Sequence, residues 1–69
     1  MKASYDRRTD TVSIVFRPGV AVESSEEVRP GVVLDFDDRG DVVSLEILDA
    51  SRVISQADRM EFDAAGRSP

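Results

Sequence analysis

The residues with the most chemical promise lie together in "DFDDRGDVVSLE", positions 35–46. Asp35 and Asp37 take the first and third places of a calcium loop, Gly40 the sixth and Glu46 the twelfth. That chemistry needs oxygen ligands at the intermediate places and a helix on either side. The fifth place here is Arg39, a cation where a ligand belongs, and the upstream flank "VVLDF" follows Pro30-Gly31 and alternates as a strand does. The stretch is therefore read as a hairpin, not a metal site. Asp35 and Glu46 also fall on one face of adjacent strands, where a general acid and a general base would have to stand. Such a pair works only where a cleft desolvates it, and a sheet of a few short strands has no deep cleft to offer. Histidine and cysteine are absent, which removes nucleophile–histidine pairs and the common zinc ligand sets. The four glycines are isolated, and none precedes a helix at phosphate-cradle spacing. No catalytic residue, cofactor-binding residue or metal ligand is assigned, and the chain is expected not to be an enzyme.

The elements that would position these side chains follow from periodicity. "TVSIVF" puts Val12, Ile14 and Phe16 on one face and Thr11, Ser13 and Val15 on the other, a half-buried strand. It pairs with the preceding "KASY" through "DRRTD", where Asp6 can bond the backbone ahead of it, so residues 2–16 form a first hairpin. "RPG" then breaks the pattern at Arg17–Gly19 and again at Arg29–Gly31. Between the two, alternation lasts only through Val20 and Val22, which predicts a short edge strand or an ordered loop. In the second hairpin a four-residue connection, Asp37 to Gly40, pairs Leu34 with Val43 and Val32 with Leu45, leaving one face apolar on both strands. Gly40 takes the left-handed position that ends it. After Leu48 the period changes to 3.6: Ala50, Val53, Ile54 and Ala57 fall at i, i+3, i+4 and i+7, with Met60 continuing the stripe. This predicts a helix from about residue 50, capped by Asp49 or Ser51 and lying on the sheet. The expected fold is α+β, a small antiparallel β-meander of four to five strands with one C-terminal helix packed on one face. Residues 1–60 make the domain and 61–69 a frayed tail.

Composition narrows the function classes. A chain of 69 residues holds one small core, and without cysteine it has no disulfide framework, which fits a reducing cytoplasm. No apolar run approaches the length of a membrane span or a signal-peptide core. The net charge of -5, with nine basic residues scattered among fourteen acidic ones, argues against a phosphate-neutralising surface and hence against nucleic acid. A charged partner would be basic.

An opening Y-D-x-x-x-D, from Tyr5 to Asp10, precedes an alternating strand and then "SEEVRPGVVLDFDDRGDVVSLEILDAS". The combination resembles the small bacterial proteins of the domain-of-unknown-function (DUF) 2283 family. Its most specific pieces are Tyr5-Asp6, Pro30-Gly31, Asp35, Gly40 and the run from Glu46 to Ser51, and it covers roughly residues 1–54. Arg7 stands where the family usually has proline. The resemblance implies a compact β-meander with a C-terminal helix, no assigned activity, and an antitoxin-like pairing with a small neighbouring gene product.

With one sheet face given to the helix, the other is half apolar: Val15, Val33, Val42 and Leu48 sit among Ser13, Asp35, Ser44 and Glu46. Those four apolar residues are the predicted interface. The leading expectation is an acidic protein-interaction module, antitoxin-like, binding a small basic protein. A self-associating structural homodimer is the alternative, and a small enzyme or ion binder the third reading.

Overall fold

The computed structural model describes residues 1–66. Five antiparallel strands form one sheet: β1 (Lys2–Asp6), β2 (Thr11–Val15), β3 (Ser24–Arg29), β4 (Val32–Phe36) and β5 (Val42–Ile47). A single turn of 3-10 helix, Ala50–Arg52, follows.

The first hairpin forms as its turn chemistry dictates. Asp6 Oδ1 accepts from the Arg8 amide at 2.9 Å, and β1 pairs with β2 through Tyr5–Val12 and Ala3–Ile14. In the second, Gly40 has φ +82°, and its amide donates to the Asp37 carbonyl at 3.1 Å. The register, however, is Leu34 with Leu45 and Val32 with Ile47, two residues beyond the expected pairing. Asp37 causes half of that shift: its Oδ1 accepts from the amides of both Arg39 and Asp41 at 2.9 Å, which draws Asp41 into the turn. A bulge opposite the Asp35–Phe36 step supplies the other half. Two single-residue insertions cancel in parity, so the apolar residues still share a face.

The strand order is β1-β2-β5-β4-β3, which corrects the expected meander. Only β3, β4 and β5 run as one. The connection from Phe16 to Glu23 passes the ends of β5 and β4, with Phe16 and Arg17 amides donating to the Val43 carbonyl and Glu23 to that of Phe36. Physical sorting explains the order. "TVSIV" and "VVSLEI" are β-branched and apolar enough to sit between neighbours, whereas "SSEEVR" is exposed along its whole length and suits an edge.

The expected C-terminal helix is absent among the described residues, so the fold is a β-sheet with one 3-10 turn and not α+β. Asp49 and Gln56 adopt positive φ, and turns run to Asp58. The stripe is present but its residues are poor helix formers: Ser51, Val53, Ile54, Ser55 and Asp58 lose side-chain freedom or compete for backbone bonds. A segment of this length is marginal as a helix even with good formers. Residues 61–66 are exposed and carry no regular structure; positions 67–69 of the predicted tail lie outside the described residues. No helix among the described residues is long and apolar enough to cross a membrane.

Two glycines separate strain from crowding. Gly40 has open space around a hypothetical Cβ, while one at Gly31 (φ +81°) would stand 3.3 Å from the Leu48 carbonyl oxygen. Gly40→Val is expected to cost on the order of 1 kcal/mol, from the left-handed backbone alone. Gly31→Val should cost more, because a backbone oxygen must also yield. Urea midpoints at constant m-value measure both; equal costs would show that the Leu48 contact is soft.

Candidate interaction surface

Strand register assigns every side chain to a face, since paired residues share one and neighbours alternate. On the front face two apolar rows cross the sheet, Ile14–Leu45–Leu34 and Val12–Ile47–Val32. They run from Ala3 and Tyr5 on β1 to Glu26 on β3. Where the helix was expected, the segment from Ile54 to Glu61, in turns as far as Asp58 and irregular beyond, roofs β1, β2 and Ile47 of β5. Roof and sheet leave an apolar groove of about 390 Å³ between them, so this part is covered without being sealed. Leu45, Leu34 and Phe36 have no share in that groove and stay partly exposed. Among the described residues the buried apolar core is only Val12, Val43 and Ala50, and no large side chain is fully enclosed.

One carboxylate holds the roof in place. Asp10, in the first hairpin turn with φ 53°, accepts the Tyr5 hydroxyl at 2.6 Å on Oδ1 and the Ser51 hydroxyl at 2.6 Å on Oδ2. The Ser51 amide lies 3.1 and 3.2 Å from the same two oxygens, and the Asp10 carbonyl takes the Ala50 amide at 2.8 Å. The hydroxyl donors of Ser51 and Tyr5 hold the Asp10 carboxyl below the usual carboxylate range, and the same hydrogen bond to Asp10, with burial behind it, raises the Tyr5 phenol. A carboxylate so stabilised is a weak base, so Ser51 is anchored and not activated. Neither Asp10 nor this cluster was singled out as a site from the sequence. The signal was there: the Y-D-x-x-x-D opening and the Asp49-Ala50-Ser51 run are the two halves of one contact.

The back face is polar by construction. Asp35 accepts the Ser44 hydroxyl at 2.6 Å and the Ser25 hydroxyl at 2.5 Å, tying β5 and β3 to β4. The structure also brings Glu46 against Asp35, as the sequence suggested. Burial would push Asp35 up, but hydrogen bonds from Ser25, Ser44 and Glu46 outweigh it and hold the carboxyl low. Glu46 is raised, by burial and by the proton it shares with that neighbour. Of the four predicted interface residues, Val15 pairs with Ser44 and Val33 with Glu46, so the polar side chains of β5 lie between them. Val42 sits at the bulge opposite Phe36, and Leu48 lies past the end of β5 beside Pro30 and Gly31. The structure does not gather them into one patch.

A raised folded-state pKa contributes stability that is full below the unfolded value, near 4.3, and is lost as pH rises through the folded one. At neutral pH the ionised Glu46 therefore works against the fold. Glu46→Gln, which always carries a proton for Asp35, should stabilise at pH 7 by on the order of 0.5 kcal/mol once solvent screening is allowed for. The gain should shrink at pH 4; a constant gain across that range would show that the two carboxyls do not share a proton.

The acidic loop behaves as a turn. Besides its two amide bonds, Asp37 takes the Arg17 guanidinium at 2.6 Å on Oδ2, and that hydrogen bond keeps its carboxyl below the usual range. Its oxygens are committed where a calcium loop would need them free. Among the described residues no group of three or more acidic, histidine or cysteine side chains could hold a metal. Millimolar calcium should leave the melting temperature unchanged, because mass action stabilises only a fold that binds the ion. A shift of several degrees would overturn the turn assignment.

No curated protein and no solved structure matched the chain. A family model did, over residues 2–51, from the first strand through the serine that closes onto Asp10. The chain belongs to that family, described as protein of unknown function (DUF2283).

Proposed function

We propose that this chain is an acidic protein-interaction module that works without catalysis, with the front face as its docking surface. One observation carries the reading: in a one-layer sheet, apolar across β2, β5 and β4, the described residues roof β1, β2 and Ile47 of β5, while Leu45, Leu34 and Phe36 lie outside that groove and stay partly exposed. Small domains bury such a face against a second layer, and an apolar surface left open marks a contact site. The net charge of -5 suits a partner surface that is basic at the rim. Asp35 serves the sheet, tying β5 and β3 to β4 through Ser44 and Ser25. A cysteine-free chain also suits a reducing compartment such as the cytoplasm.

Dye binding and sedimentation test this together. At micromolar concentration the purified chain should either self-associate or, as a monomer, bind a hydrophobic dye, and Leu34→Glu should abolish whichever occurs while the circular dichroism is retained. A monomer that binds no dye removes the reading. So does dye binding or association that Leu34→Glu leaves intact.

A further inference from the structure

Resting on the front face being a docking surface, we propose that the roof is a strap, rooted at Ala50 and Ser51 and free to lift at its far end, that withholds part of that surface until it is displaced. The seating of the roof, its fastenings and the apolar rows beneath it all support this.

Seating weakens along the segment. Ala50 is fully enclosed, Ile54 and Ala57 are half-buried, and Met60 is 57% exposed. The stripe that predicted a helix thus grips the sheet at one end only. The fastenings are graded in the same sense. At the root, Asp10 accepts from the Ser51 hydroxyl and amide on its side chain and from the Ala50 amide on its carbonyl. Among the described residues no backbone bond joins positions 55–61 to the sheet, and the Arg59 amide donates to the Gln56 carbonyl inside the roof itself. The far end is tied by one ion pair, Arg7 with Asp58 at 3.0 Å, and both side chains are open to solvent, where such a pair holds little. Gln56 keeps φ 52°, an uncommon backbone for glutamine, so the closed strap carries strain that lifting relieves.

What the strap covers is continuous with what it leaves open. Ile14 and Val12 line the groove beneath it, and the rows they begin run on through Leu45 and Ile47 to Leu34 and Val32. Lifting joins the two parts into one apolar surface. A partner that needs both meets a competing segment of the same chain, and its apparent affinity falls by the fraction of molecules in which the strap is seated. The family match stops at Ser51, so the root lies within the matched segment and the strap beyond it.

The chain has no cysteine, so Arg7→Cys combined with Asp58→Cys supplies two thiols that a cleavable bis-maleimide can bridge, tying the far end to the first hairpin turn. Both positions are exposed, and cleavage leaves the same added bulk on each. The probe is hydrophobic dye, with sedimentation in its place where the chain associates. Bridging should weaken binding on the order of tenfold, and cleaving the linker should restore it. Hydrogen exchange of the parent reads the opening without any ligand: the Arg59 amide should exchange on the order of tenfold faster than those of Ala50 and Ser51. Equal protection would overturn the strap, since root and far end would then open as one. Binding unchanged by bridging, with Leu34→Glu still abolishing it, would overturn the strap yet leave the docking face standing. Binding that survives Leu34→Glu would remove the docking face and the strap with it.

Discussion

Replacing Ala50 with leucine should destabilise the chain by about 1–3 kcal/mol, the usual cost of forcing added methylenes into a closed site. Ala50 is 0% exposed, the most enclosed residue described. Its amide is held by the Asp10 carbonyl, and its own carbonyl accepts from Val53 and Ile54. With the backbone pinned on both sides, the added side chain cannot be relieved by a small shift. A single small core without disulfides seldom gives more than about 3–5 kcal/mol, so the loss is a large fraction of the total. Val53→Leu is the control, since Val53 is 72% exposed and has room to grow. Denaturant unfolding at equal protein concentration reads both. An Ala50→Leu variant as stable as the parent would show that the chain after β5 packs loosely where it leaves the sheet.

Asp10→Ala should have the second large effect, and its readout is release of the roof. The substitution removes the acceptor for Tyr5 and for both donors of Ser51. It also leaves alanine at φ 53°, a conformation that aspartate and asparagine tolerate better. Trypsin should then cut at Arg52 and Arg59 faster than in the parent, and the melting temperature should fall. Asp10→Asn keeps the turn conformation and an acceptor oxygen, and should retain most of the protection. The latch is also pH-dependent. A lowered folded-state pKa gives stability that is present above the unfolded value near 3.9 and is lost as pH falls through the folded one. Parent and Asp10→Ala should therefore converge in melting temperature only in strong acid. Equal cleavage rates at neutral pH would mean that the segment is held by apolar contact alone.

Two of the three hairpins, β1–β2 and β4–β5, were legible in the sequence because their turns are local chemistry: Asp6 bonding ahead, Gly40 at positive φ, alternation that names one face. The two-residue offset in the second hairpin was not, since it depends on which amides Asp37 captures, and parity alone is blind to an even shift. The strand order was hidden for another reason. β2 meets β5 across nearly thirty residues of chain, and nothing near either strand encodes that choice beyond their shared apolar character. The helix failed where pattern and propensity disagreed: Ala50, Ile54 and Ala57 do turn inward at the expected spacing, but the serines, β-branched residues and Asp58 around them do not support a helix. That misreading moved the predicted interface as well. With a helix on the front face, the back face and its valines were the surface left over; with a partial roof, Leu34, Leu45 and Phe36 of the front face stay partly exposed as well.

The strand order has a kinetic meaning too. β1–β2 closes through one tight turn and β3–β4–β5 through two, so each piece is assembled from contacts close in sequence. The β2–β5 seam is different, because its pairing must first fix the ends of a much longer stretch of chain. Loop-closure entropy is lost there before any ladder bond repays it. Folding of this chain is therefore expected to be limited by the joining of two ribbons along a single line, each of them marginal on its own. The connection from Phe16 to Glu23 is its hinge, and the amides of β2 that face β5 report on the slowest step.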